Sequence, residues 1–172
     1  MLPALAGILW CGSSSTIWGQ DTASQVFLKV PFFPDRTDQC GPSTLAGILS
    51  YWGKAADPST LRKEIYQDKL KGALPMDMVL AAEAHGLKTQ MVRGDLAILR
   101  SELLAGRPVV AMLNTGFVAV PVDHYVIVTG FDEARQGLRV HSAGTENQFM
   151  SYKKFIRQWD KADNWAMLAQ NP

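Results

Sequence analysis

The residues able to do chemistry in this chain are two cysteines and three histidines, and one cysteine stands out by its surroundings. Cys40 lies in the run Asp38-Gln39-Cys40-Gly41-Pro42-Ser43-Thr44-Leu45. Gly41 and Pro42 suit a turn that enters a helix, because proline at the first helical position forfeits no hydrogen bond. Leu45, Ile48, Leu49 and Trp52 follow at the helical spacing of three and four, and Gly53 closes the segment. Cys40 is therefore expected at a helix N-terminus, where unpaired N–H groups and the helix dipole stabilise a thiolate. A lone cysteine is more often a small buried hydrophobe, so a catalytic reading needs a partner base. That base is usually a histidine, held in turn by a third group. His85 precedes Gly86 at an expected helix end, a structural position. His141 lies in an expected return strand and is ambiguous. His124 opens the apolar run Tyr125-Val126-Ile127-Val128, which would hold it rigidly while leaving it open to a cleft. It is the best candidate base.

These residues need elements to position them. Phe27 to Phe33 reads as an extended lead-in closed by Pro34. The Cys40 helix follows, and Asp57-Pro58-Ser59 opens a second helix expected to end near Gly72. Pro75 starts a third, running to His85. Leu87 to Val92 is a short strand, and Asp95 caps a helix through Leu104. Val109 to Leu113 and His124 to Phe131 are apolar runs of strand character, and Leu138 to His141 returns as a hairpin partner. Ser151 to Trp159 is a helix and Trp165 to Ala169 a closing strand. Helices first and antiparallel strands later predict an α+β domain, with a helical N-terminal part packed on a C-terminal sheet.

At 172 residues, 47% of them apolar and 19% charged, the chain suits one soluble domain with a sizeable core. A net charge of +1 and dispersed aromatics argue against nucleic-acid binding. Met1 to Gly12 is apolar and Ser13 to Gln25 small and polar, in the manner of a secretory leader. The expected division is a leader over 1–24 and a catalytic domain over 25–172. Such a leader predicts an exported protein, periplasmic or membrane-associated; without it the protein would be cytoplasmic. The apolar run is well short of the roughly 20 residues that span a bilayer, so no transmembrane domain is expected. Cys11 suggests a lipid-modified cysteine, against which Trp10 before it is bulky where lipoprotein signals want a small residue. Removal of the leader around Cys11 would leave Cys40 without an internal disulfide partner, a reactive state unless it is used. No zinc, calcium or phosphate-loop spacing is present, so neither metal nor cofactor is expected.

The segments Val30-Pro31-Phe32-Phe33-Pro34, Gln39-Cys40-Gly41-Pro42 and Asp123-His124-Tyr125-Val126-Ile127-Val128-Thr129-Gly130-Phe131-Asp132 resemble those of the C39-like, papain-fold cysteine peptidases. This is the family of domains that trim double-glycine leaders from bacteriocin precursors. The likeness runs from about Val26 to Ala169, and is nearer still to the stand-alone, exported proteobacterial members. It implies Cys40 as nucleophile, His124 as base, a peptide or protein substrate and no cofactor.

Two departures stand against that pattern. The family commonly has an aspartate in the strand after the histidine, whereas this strand reads Arg139-Val140-His141-Ser142-Ala143-Gly144. Ser142 or His141 occupies the slot and Asn147 lies just beyond; a neutral oxygen can orient imidazole but stabilises imidazolium less. Family members also carry a glutamine upstream of the cysteine that donates to the oxyanion. Here Pro34 and Asp35 stand there, and an ionised aspartate cannot donate. Gln39 is the candidate substitute donor, or else a turn residue. The expected activity is peptide hydrolysis through an acyl-enzyme. The alternatives are an inactive peptide- or protein-binding module and a papain-like acyltransferase. Phe117, Val118 and Val120 could wall a substrate cleft or fill the core. Oligomeric state is not legible.

Overall fold

The computed structural model describes residues 23–35, 39–116 and 120–172. The elements run β1 (Gln25–Phe27), α1 (Cys40–Tyr51), α2 (Pro58–Ile65), β2 (Tyr66–Gln67), β3 (Gly72–Ala73), α3 (Pro75–Ala84), β4 (Lys88–Arg93) and α4 (Leu96–Leu104). They continue with β5 (Val109–Asn114), β6 (Asp123–Asp132), β7 (Gly137–Ser142), β8 (Thr145–Ser151), α5 (Tyr152–Trp159) and β9 (Trp165–Gln170). An antiparallel sheet in the order β4-β9-β5-β6-β7-β8 forms the centre, and β1 pairs with the end of β6 beyond the reach of β5. Helices sit on both faces. This is the expected α+β architecture.

The sheet separates two apolar clusters. Side chains alternate across β6, so Tyr125 and Ile127 join Leu45, Ile48 and Leu49 of α1 on one side. Val126 and Val128 join Leu99, Phe155 and Trp159 on the other. With both faces covered, β6 reads as a continuous apolar run. Local chemistry sets the helix starts. Asp57 caps α2 by accepting from Thr60 N–H, Asp95 caps α4 by accepting from Ile98 N–H, and prolines open α2 and α3.

Two expectations are corrected. The second helix stops at Ile65 rather than near Gly72, and Tyr66–Gln67 turns back to pair with Gly72–Ala73. Between Gln67 and Gly72 the sequence offers only Leu70 as an aliphatic residue among Asp68, Lys69 and Lys71, too little to bury a further turn. Strand β8 was not anticipated, because its Thr-Glu-Asn-Gln start lacks an apolar alternation. As the outer strand beside β7 it needs none.

Candidate active site

Cys40 is the first residue of α1, at the helix N-terminus as expected, but Gly41 and Pro42 lie within the first helical turn rather than in a turn before it. The helix lies tight against β6. A Cβ at Gly47 would stand 2.6 Å from Ile127 Cδ1 and 2.9 Å from the Pro31 carbonyl oxygen, so only glycine permits this approach. One turn after Cys40, the Thr44 hydroxyl donates to the Tyr125 carbonyl at 3.4 Å, fastening the helix start to the strand that carries the histidine.

His124 is the second residue of β6, and the sheet supplies its partner. Val126 stands opposite Ser142 on β7, so His124 and Ser142 are diagonal neighbours on one face. His124 Nε2 lies 3.2 Å from Ser142 Oγ, leaving Nδ1 as the second ring nitrogen. Of the residues the sequence offers for the third position, Ser142 is the one placed beside His124. His141 is engaged elsewhere: its Nε2 meets the Val30 carbonyl at 2.9 Å and its Nδ1 accepts from the Asn147 N–H at 3.1 Å. That pairing uses both nitrogens of a neutral ring and makes His141 structural. Asn147 is no partner of His124; its side chain faces Thr129 and Glu146, and its backbone has φ 52°. His85 caps α3 and pairs with Glu64 at 3.0 Å, the structural role expected of it.

Asp35 is the residue whose place sequence reading undervalued. Its Oδ1 accepts from Gln39 N–H at 2.9 Å, and its own N–H donates to the Ala143 carbonyl at 3.0 Å. These bonds tie it to the mouth of α1 and to the turn after β7. One carboxylate oxygen of Asp35, Cys40 Sγ and one ring nitrogen of His124 all lie within 4.8 Å of one another. The sequence signal was a carboxylate five residues before a candidate nucleophile; nothing in the spacing reveals that it turns back to the thiol. Gln39 uses its backbone N–H on Asp35, makes no side-chain cap bond, and is not among the residues lining the groove beside Cys40.

The electrostatics correct the expectation of a preformed thiolate. Burial pushes the Cys40 thiol above its ordinary value of 9.0; hydrogen bonding from the backbone of Tyr125 opposes this, the Asp35 charge adds to it, and the backbone of Gly41 and Cys40 opposes it again. His124 is lowered from 6.5 by burial, with the Asp35 charge acting the other way. Burial is the largest influence on both groups and opposes the charged form of each, so the thiol is pushed up and the imidazole down.

Cys40, His124 and Ser142 open onto a groove of about 910 Å³. One wall is Leu70, Ala73 and Leu74, the other Pro121 and Val122, with Met112 also lining it. The Tyr125 hydroxyl, bonded to the Ala73 carbonyl at 3.0 Å, holds the first wall against β6. Val120 is 63% exposed, which assigns it to the surface rather than the core, and Phe117 and Val118 lie outside the described residues. So does Cys11, with the leader assigned to 1–24 lying almost wholly outside them.

A helix that carries a cysteine against an antiparallel sheet carrying a histidine defines the papain-like cysteine-peptidase fold. Within that fold the chain belongs to the Peptidase_C39 like family, whose sequence pattern matches residues 27–167. Three solved structures illustrate the likeness. A C39-like peptidase from Bacillus anthracis superimposes with a TM-score of 0.71 at 18% identity, over 87% of this chain and 99% of that one. A double-glycine motif protease from an AMS/PCAT transporter, solved with its leader peptide, gives 0.68 at 17%, covering 86% and 95%. Xylellain, a cysteine protease from Xylella fastidiosa, gives 0.62 at 12%, covering 87% of each chain. No curated protein matches the chain by sequence. No helix among the described residues is long and apolar enough to cross a membrane.

Proposed function

We propose that this protein is an exported cysteine peptidase with Cys40 as nucleophile, His124 as base and acid, and Ser142 as the group that orients the imidazole. The observation that carries this reading is the position of Cys40 and His124 beside one another on an open groove, with Ser142 on the histidine's Nε2. The leader peptide bound by the double-glycine motif protease of the same fold supports a peptide or protein substrate, and the apolar Met1 to Gly12 segment supports export.

With Nε2–H donating to Ser142 Oγ, Nδ1 keeps its lone pair for the thiol proton. As that proton moves to Nδ1, sulfur bonds to the substrate's carbonyl carbon and the π pair passes to the oxygen. Collapse of this intermediate breaks the C–N bond, and His124 returns the proton to the departing amine. Water, deprotonated by His124, then attacks the thioester; the acid leaves and the thiol is restored. The Cys40 backbone N–H at the helix mouth is the available oxyanion donor. Asp35 stands where a side-chain donor would serve, and its charge opposes the oxyanion. A slow peptidase is the expected result.

The test is cleavage of a mixed peptide pool under reducing, chelated conditions, with product termini read by mass spectrometry. New termini should appear with wild type, fall at least about a hundredfold with Cys40→Ser or His124→Ala, and fall less, about tenfold, with Ser142→Ala. If an added amine captures the acyl group faster than water does, the protein is an acyltransferase. Retention of bound peptides with no new termini from pH 5 to pH 9 would make it a binding module, the reading that the Asp35 charge favours.

A further inference from the structure

The geometry points to a binding site for a zinc-type divalent cation formed by Asp35, Cys40 and His124, whose occupancy holds the nucleophile in a latent state. The site itself stands on donor geometry; only its inhibitory consequence rests on the roles proposed for Cys40 and His124.

The three donor atoms, a carboxylate oxygen, a sulfur and an imidazole nitrogen, lie within 4.8 Å of one another. In a tetrahedral zinc site with bonds of about 2.0–2.3 Å, neighbouring ligand atoms stand roughly 3.5 Å apart. Closing from within 4.8 Å to that separation asks only for small side-chain rotations. The donors come from the loop before α1, the first residue of α1 and the start of β6, so the fold rather than a sequence motif assembles them. Two are already held from behind. The Gln39 N–H fixes Asp35 through Oδ1, and Ser142 engages Nε2 of His124, which leaves Nδ1 for the cation. Outer partners of this kind orient the ligands of metal sites. Each of the three residues is half-buried and lines the groove, which provides an entry path and room for a fourth, water ligand.

The donor set selects the metal. Magnesium and calcium take oxygen ligands in larger numbers, whereas sulfur with imidazole and one carboxylate suits zinc and, as a spectroscopic substitute, cobalt. Charge agrees with this choice. The cation neutralises Asp35 and drives the proton off the thiol, forming a metal–sulfur bond and releasing one proton to solvent. The sulfur electrons that would attack a carbonyl are then committed to the metal. Removal of the cation restores the pair.

The test uses the full-length protein carrying Cys11→Ser, so that Cys40 is the sole thiol, after reduction and removal of metals. Cobalt titration should saturate at one equivalent, with tetrahedral visible bands and a thiolate charge-transfer band in the near ultraviolet. Cys40→Ser should abolish the charge-transfer band. Asp35→Asn keeps the Oδ1 acceptor that Gln39 needs but loses the anionic ligand, and should weaken cobalt binding at least about tenfold. One equivalent of zinc should block iodoacetamide alkylation of Cys40, and EDTA should restore it. Absence of the charge-transfer band, or unchanged affinity in Asp35→Asn, overturns the site. Failure of the peptidase reading is separate: it appears as no cleavage by metal-free protein, whether or not the cobalt band forms.

Discussion

At the scale of single residues, Asp35 decides more than its sequence position suggests. Its charge favours an imidazolium at His124 and disfavours a thiolate at Cys40, so its effects on the two members of the ion pair run in opposite directions. In the proposed mechanism its charge also acts on the oxyanion, where a carboxylate would stand in place of a donor. In metal-free protein the iodoacetamide rate follows the thiolate fraction. Burial raises Cys40, so that rate should climb only as pH passes above the ordinary thiol value of 9.0. Asp35→Gln removes a charge that raises the thiol, so its alkylation profile should move to lower pH. The same change supplies an amide donor, and one oxyanion donor is worth about 10²–10³ in kcat, so peptide cleavage should rise at least about tenfold. A profile that stays in place would show that the Asp35 charge does not reach the sulfur.

Among elements, α1 and β6 make the site, and their spacing depends on Gly47. An added methyl there meets Ile127 Cδ1, which can yield, and the Pro31 carbonyl, which belongs to the backbone and yields less. Gly47→Ala should cost about 1–3 kcal/mol of stability by overpacking, measurable in urea unfolding. It should also lower peptide cleavage by drawing Cys40 away from His124. Shortening the flexible neighbour with Ile127→Val should recover part of both losses, a coupling expected of residues in contact. Additive losses in the double variant would mean that the two side chains do not share the contact. The short β2–β3 hairpin belongs to this scale too: it replaces the final turns expected of the second helix and places Leu70 and Ala73 in the groove wall.

Across the whole molecule, the sheet divides the fold into a side that builds the site and a side that supports it. Phe155 is fully buried on the far side, 5.2 Å from Trp159 between ring centres. Phe155→Ala should cost about 3–5 kcal/mol in denaturant unfolding. Below the unfolding transition the alkylation profile of Cys40 should not move, because α1, β6 and Ser142 are held by the opposite cluster and by sheet hydrogen bonds. A displaced profile would show that strain crosses the sheet.

The sequence by itself determined the helix that Cys40 opens, the strand that carries His124, and the α+β class, because each is written in local signals. These are a Gly-Pro helix entry, apolar periodicity and a β-branched run. It could not determine which residue holds His124, since Ser142, His141 and Asn147 lie within six positions of one another and only the β6–β7 register separates them. It could not show β8 either, whose polar residues gain their order from pairing with a neighbour. The position of Asp35 and the burial that pushes the Cys40 thiol up came from tertiary structure alone. A chain folding back on itself sets distances between residues far apart in sequence, and burial sets the cost of charge; at Cys40 burial is the largest influence and raises the thiol against its backbone hydrogen bonds.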